Sequence, residues 1–297
     1  MRLIVRLGLT EGRKAVAIIK NTEIIIGVEY VAMRVLVRGV NDIGSAVAHR
    51  LAPTGYAVVI HDTPYPPTSR RTMAFTDAVF DGHAHLAGRD ACRVDEAHSL
   101  LALLHAHTAI PVFVGALADA LAAVRPDVLV DARMRKRAIP EGQRDLAPLT
   151  IGLGPNVVAG ETTHLAVETA WGDRLGAVLT RGATQPLAGD PRPIEGHTRD
   201  RFIYAPAAGV FHTSRHIGDM VAQGEIVAHL DTLPLAAPLS GALRGLTHDG
   251  VPVAIGIKVI EVDVRGPVGI TYGIGERPGR IADGVERAIA AWQQREG

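Results

Sequence analysis

The chain has 297 residues, enough for two or three domains, and at 47% hydrophobic it can fill packed cores. Its 31 basic and 31 acidic residues give a formal net charge of +0, which excludes the basic bias of a nucleic-acid or anionic-membrane binder. A single cysteine, Cys92, excludes an internal disulfide framework and a multi-cysteine metal cluster.

Residues 1–32 hold two apolar runs, Ala15 to Ile19 and Ile24 to Val28, with Asn21 between them. They read as an N-terminal extension, with a β-hairpin as the alternative. Glu11, Arg13 and Lys14 interrupt any signal-peptide core, and no apolar run reaches membrane-spanning length, so a cytoplasmic protein is expected. Arg34 to Val37 reads as a buried strand, followed by a tight loop from Arg38 to Ser45 and a helix over Ala46 to Leu51. A second strand over Ala57 to Ile60 ends at His61 and Asp62. Strand, glycine loop, helix and strand is the order of a dinucleotide-binding unit, whose helix start offers free N–H groups to a phosphate. Gly39, Asn41, Asp42, Gly44 and Ser45 would line it, and Asp62 stands where an acidic residue meets a ribose hydroxyl. Asn41 replaces the second glycine of the usual pattern and Asp42 adds a negative charge, so two readings stand here: NAD(P) binding, or a Rossmann unit that has lost or changed its nucleotide.

The proline-stiffened loop Pro64 to Thr72 presents Ser69, Arg70, Arg71 and Thr72 after a strand end, a set suited to phosphate oxygens. His83 and His85 read as exposed loop histidines. Val94 to His107 reads as a helix, Ile110 to Val114 as a strand, Leu117 to Ala123 as a helix and Val128 to Val130 as a strand ending at Asp131. The basic cluster from Asp131 to Arg137, with Lys136, either holds an anion in the same crevice or is a solvated face. Leu149 to Leu153 reads as a strand leading to a second glycine loop through Gly152 and Gly154. His164 to Thr169 and Gly176 to Thr180 read as strands around a hairpin at Trp171-Gly172-Asp173.

Residues 184–200 read as a linker. Beyond it, Ala205-Pro206, Gly209, Gly218, Val221, Gly224 and Val227 recur at an offset of 32 as Ala237-Pro238, Gly241, Gly250, Val253, Gly256 and Val259. Such a repeat marks a duplicated all-β unit. The pattern resembles the biotinyl and lipoyl carrier domains, whose cofactor-bearing lysine sits at the hairpin between the halves. The matching hairpin here, Leu230 to Ala236, has no lysine. Ile281 to Gln293 has apolar residues at helical spacing. The expected fold class is α/β, a Rossmann-like parallel-sheet domain plus a small all-β barrel-sandwich hybrid. Residues 33–150 would form the Rossmann-like domain, 151–200 a β-rich connection, 201–265 the barrel-sandwich hybrid, and 266–297 a C-terminal helix packed on the first domain.

From Met33 onward, Arg38-Gly39 with Asp42, Arg70 to Phe75, Val130-Asp131-Ala132 with Lys136-Arg137, Ile151 to Pro155 with Ala159-Gly160, and Ala205-Pro206 to Asp263 fall in an order that resembles the selenium-dependent molybdenum hydroxylase system (YqeB-type) accessory proteins. The N-terminal half is also similar to xanthine dehydrogenase accessory factors. The resemblance implies a maturation factor that binds molybdopterin or molybdopterin dinucleotide for insertion into a molybdenum hydroxylase apoenzyme, with self-association compatible. No nucleophile with its base is evident, so no catalytic residue is named; the resemblance implies a non-catalytic cofactor chaperone. The alternatives are an NAD(P)-dependent oxidoreductase and a non-catalytic docking scaffold. The expected cofactor-binding set is Gly39, Asn41, Asp42, Gly44, Ser45, Asp62, Arg70, Arg71, Asp131, Lys136, Gly152 and Gly154.

Overall fold

A computed structural model describes residues 13–20, 23–30, 32–106, 108–135, 140–188 and 191–296. Strands β1 (Arg13–Lys20) and β2 (Glu23–Tyr30) pair antiparallel.

The first buried strand, β3 (Arg34–Arg38), leads into α1 (Asp42–Leu51) and then β4 (Ala57–Asp62). Helix α1 starts four residues before the expected Ala46 because Asn41 caps it: its Oδ1 accepts from Ile43 N at 2.9 Å and Gly44 N at 3.2 Å. A Cβ on Gly44 would collide with the Gly39 carbonyl oxygen, so glycine is what lets the helix start lie against the loop before it.

Next come α2 (Asp77–Asp81), β5 (His83–Leu86), β6 (Arg89–Val94), α3 (Leu100–Ala106), β7 (Ile110–Val114), α4 (Leu117–Val124) and β8 (Val128–Asp131). The expected helix over Val94 to His107 is thus shortened at its start, because Val94 pairs with Phe113 in the sheet. The histidines His83 and His85 are exposed but lie on a strand, with Ala84 and Leu86 turned inward. After β9 (Leu149–Leu153) come β10 (Val158–Ala159), β11 (Leu165–Val167), β12 (Val178–Leu179) and β13 (Gly182–Ala183).

Nine of these strands form one sheet in the order β12-β11-β9-β8-β3-β4-β7-β6-β5. Its interior is parallel, but β5 on β6 and β12 on β11 are antiparallel. One face buries Val35, Val37, Ile60 and Val130 against Ile43 and Val47 of α1 and against α5 (Glu276–Glu296), through Ile281, Val285 and Ile289. The other buries Leu36, Val59, Phe113 and Leu129 against α3 and α4. Adjacent strand residues point to opposite faces, which is why Val35 and Leu36 serve different cores. Each such side chain contributes about 1.5–3 kcal/mol when fully buried.

Residues 202–263 form β14 (Phe202–Tyr204), β15 (Gly209–His212), β16 (Met220–Val221), β17 (Ile226–Leu230), β18 (Leu233–Ala236), β19 (Gly241–Leu246), β20 (Val251–Val253) and β21 (Lys258–Asp263). They make two four-stranded antiparallel sheets, β14-β21-β19-β16 and β18-β17-β15-β20. Each sheet takes two strands from each half of the sequence repeat, so neither half closes a core alone. Phe211, Leu243, Leu246, Val251 and Val259 fill the space between them.

These observations correct the expected fold class. In place of a Rossmann-like parallel-sheet domain with a small biotinyl-like barrel-sandwich hybrid, the chain forms a large mixed sheet plus antiparallel sheets. The physical reason lies at the edges of the large sheet. A histidine-bearing hairpin closes one side, and β9, which spans the expected boundary at residue 150, extends the other with β11 and β12 from the stretch expected to be a connection. Among the described residues no helix is long and apolar enough to cross a membrane.

Candidate functional site

The C-terminal ends of β3, β4 and β8 gather most of the expected site residues, at the edge where ligands of open α/β sheets bind. There the backbone donors at the start of α1 are already engaged. Val40 N donates to Asp62 Oδ2 at 2.7 Å, and Asn41 Oδ1 takes Ile43 N and Gly44 N. The Asn41 amide nitrogen donates to the Ala132 carbonyl at 2.8 Å, tying this loop to the end of β8. Ser45 is fully buried; its Oγ donates to Val40 O at 3.1 Å and accepts from Phe75 N at 2.8 Å. Gly39, at φ +113°, passes directly over Ala132 and Arg133. Beneath the loop His61 is buried, its Nε2 3.0 Å from Gly115 O, and burial lowers its pKa.

Arg70 and Arg71 face the repeat module. The guanidinium of Arg70 grips the fully buried Glu261 through Nε at 2.8 Å and Nη2 at 2.9 Å, and reaches Asp42 from Nη1 at 3.3 Å. Arg71 donates to the Leu246 carbonyl at 2.8 Å and to Asp77 at 2.5 Å. Glu261 also receives Arg201 Nη1 at 2.5 Å and Lys258 Nζ at 2.7 Å, with Arg244 Nε at 3.6 Å. Burial alone would raise the Glu261 pKa, but Arg70 and Lys258 hold it well below the usual carboxylate range. For Arg70, burial alone would lower the pKa, yet Glu261 and Asp42 hold it above the ordinary arginine value. Arg277, in the first turn of α5, donates from Nε to Thr169 O at 2.7 Å, and burial lowers its pKa. The expected loop arginines therefore fasten the large sheet to the module.

A second charged network crowns β3 and β8. Arg38 is 7% exposed, and its Nη1 donates to Gln143 Oε1 at 2.5 Å and Glu141 Oε1 at 3.1 Å, while its Nε has no partner among the described residues. Arg133 donates to Asp131 from Nε at 2.9 Å and from Nη2 at 2.7 Å, and from Nη2 to Glu141 Oε1 at 2.6 Å. Arg135 Nη1 donates to Glu141 Oε2 at 2.8 Å. Gln143 Nε2 closes the ring on Asp131 Oδ2 at 2.5 Å. The hydrogen-bond donors from Arg133, then Arg135 and Arg38, take the Glu141 pKa down to about 2. Burial would raise that of Asp131, but the bond from Arg133 leads a net lowering. Burial, then the charge of Arg133, lower the Arg38 pKa against the opposing pull of Asp131 and Glu141.

Asp131 is thus inside this network, and Arg70 with Asp42 lies across the Asn41 loop from it. Gly154 lies beside Met134, whereas Gly152 packs within the sheet, where a Cβ would strike the Val157 side chain. Lys136 lies outside the described residues. A cavity of about 180 Å³ lies at the opposite edge of the sheet, between Ala52, Tyr56, Arg89, Leu104 and Ile110. Sequence reasoning missed Glu141, Gln143 and Glu261. The first two sit in a polar stretch after Pro140, over a hundred residues from Arg38. A carboxylate inside the strand pattern Lys258-Val-Ile-Glu-Val-Asp263 was the signal for the third.

No family model matches the chain. It is 37% identical over 256 residues to an Escherichia coli K12 protein named "Uncharacterized protein YqeB"; the match covers 86% of this chain and 47% of that one. The chain therefore spans about half the length of the curated relative it matches, and that relative's printed name states no activity. Among solved structures, the apo ectoine utilization protein EutE (DoeB) of Ruegeria pomeroyi is 13% identical, over 78% of this chain and 86% of that one, at a TM-score of 0.24. An aspartoacylase family protein of Mesorhizobium loti is 12% identical, over 85% and 94%, at a TM-score of 0.23. A succinylglutamate desuccinylase/aspartoacylase of Rhodobacter sphaeroides is 25% identical over 21% of each chain, at a TM-score of 0.19. Likenesses of this size carry no activity over to the chain. The expected function, an accessory factor for molybdenum hydroxylase maturation, is nonetheless corrected. Arg70 and Arg71, expected to grip a dinucleotide, are held by Glu261, Asp42 and Asp77 of the chain itself. What the matched proteins share with this chain is sequence along most of its length, in the case of the Escherichia coli protein named YqeB.

Proposed function

We propose that this chain binds a small oxyanion at the C-terminal edge of its large sheet, with Arg38, Arg133 and Arg135 as the cationic groups. The observation that carries the reading is Arg38. A guanidinium nine-tenths buried at a strand end, its Nε without a partner among the described residues, is held in a hydrogen-bonded network of three arginines and two carboxylates. Burying a charge is costly unless it is matched, and an added anion at this mouth would complete the match. Arginine suits the task because its fork of donors fits planar oxyanions.

The test is calorimetric titration of the protein with malonate and with inorganic phosphate at low ionic strength, alongside the Arg135→Gln variant. Arg135 is more than a third exposed, so its replacement leaves the fold in place. Losing one charge-assisted contact of about 1.5–3 kcal/mol weakens binding about 10- to 150-fold. Equal affinities for the two proteins would overturn the reading.

A further inference from the structure

The more exposed of the two carboxylates in this arginine cluster is Glu141. Glu141 leaves 45% of its side chain exposed, yet both of its oxygens are taken: Oε1 by Arg38 and Arg133, Oε2 by Arg135. An exposed single pair contributes little, but here three guanidinium groups from two strand ends converge on one carboxylate. Gln143, two residues on and buried, fixes the segment beneath: its backbone N donates to Thr162 O at 2.8 Å and its side chain spans Arg38 and Asp131. Among the described residues, the side-chain hydrogen bonds of Glu141 all go to these arginines. The donors approach two oxygens of one planar group, the pattern of a carboxylate.

We propose that Glu141 occupies the place of an external ligand, so that the site takes a small carboxylate and Glu141 competes with it. The proposal rests on the oxyanion-binding reading above. A tethered carboxylate acts at an effective concentration of about millimolar, and a free acid must displace it. Glu141→Gln removes the competing charge and leaves Arg38, Arg133 and Arg135 facing Asp131 alone.

The experiment titrates acetate, malonate and inorganic phosphate into the wild-type protein, Glu141→Gln and Arg135→Gln by calorimetry, with a thermal melt of each to verify folding. Glu141→Gln is expected to tighten acetate and malonate binding about tenfold or more, and phosphate by less than about threefold. Glu141→Asp, which keeps the charge on a shorter arm, is expected to fall between. Wild-type binding that depends on Arg135 but is unchanged or weakened in Glu141→Gln would overturn the competition while leaving the oxyanion reading. A phosphate gain equal to that of the carboxylates would overturn the assigned ligand class. No binding of any of the three anions by any folded variant would overturn both readings.

Discussion

Glu261 offers the sharpest test of how the two sheet systems are joined. Its carboxylate is fully buried and is met by Arg70, Arg201 and Lys258 at 2.5–2.9 Å, with Arg244 at 3.6 Å. Glu261→Gln preserves the shape but removes the charge and turns an NH₂ donor toward guanidinium donors. The cost follows from what stays behind, since stranding buried charges by removing their partner destabilises by about 3–5 kcal/mol. For a chain of this size each kcal/mol lowers the melting temperature by about 2–4 °C, so a drop of about 6–20 °C is expected. Urea unfolding with linear extrapolation should show the midpoint falling at unchanged slope. The same substitution at Glu225, whose pair with Arg215 is about one-third exposed, should cost no more than about 1 kcal/mol. A double-mutant cycle of Glu261→Gln with Arg70→Met should show strong coupling, because the two meet in a bidentate pair. A loss below about 1 kcal/mol for Glu261→Gln, matching Glu225→Gln, would refute the reasoning.

Two further outcomes follow from the same edge. Asn41→Ala should cost about 1–2 kcal/mol by chemical denaturation, since it strips the cap from Ile43 N and Gly44 N and the bond to Ala132 O, while Asn41→Asp, which keeps the cap, should cost less. The folded-state pKa values of Asp131, Glu141, Glu261 and Asp263 are all depressed, so their contribution to stability is complete above the unfolded carboxylate values near about 4 and is lost as pH falls toward their folded values, about 2 for Glu141. Urea midpoints measured at pH 5, 4 and 3 should fall in that order.

The parts of this fold legible in the sequence are those where one local pattern answers to one core. Val35 to Val37 and Val58 to Ile60 are apolar on both faces because helices cover both, and the runs read as buried strands. The C-terminal helix shows its stripe through Ile281, Val285 and Ile289. The repeat was visible because both halves need glycine and proline at the same bends. What the sequence hid was pairing. His83 to Leu86 has two exposed histidines and no apolar run, and it becomes a strand only because β6 offers it an edge. Val178–Leu179 lies within the expected strand Gly176 to Thr180, but its place on β11 at the edge of the large sheet was not legible. The charged cluster was half legible. Asp131 and Arg70 stood out at strand ends, but Gln143 lies in a polar loop 12 residues on from Asp131, and Glu261 is 191 residues from Arg70, with no motif spacing to link either pair.

The ion cluster on Glu261 bears on function through position more than through net stability. Replacing a buried ionic group by apolar side chains of similar volume is often neutral or stabilising, so stability alone does not account for three arginines and a lysine gathered on one carboxylate. Geometrically the cluster pins the loop from Ser69 to Thr72. Arg70 joins β21 to the first turn of α1, Leu246 N bonds Ser69 O at 2.7 Å, and Thr72 Oγ1 bonds Thr271 O at 2.6 Å. Asp42, held by Arg70, is next to Asn41, and Asn41 in turn fixes the backbone beside Arg133 through Ala132. A continuous run of bonded groups therefore links the repeat module to the arginines around Glu141. If the module were released, as Glu261→Gln should do in part, the Arg133 end of that run would lose a support that Arg38, set in the strand itself, would keep. The affinity for a carboxylate and the stability of the module should then fall together in that variant, although Glu261 touches none of the three arginines assigned to the ligand.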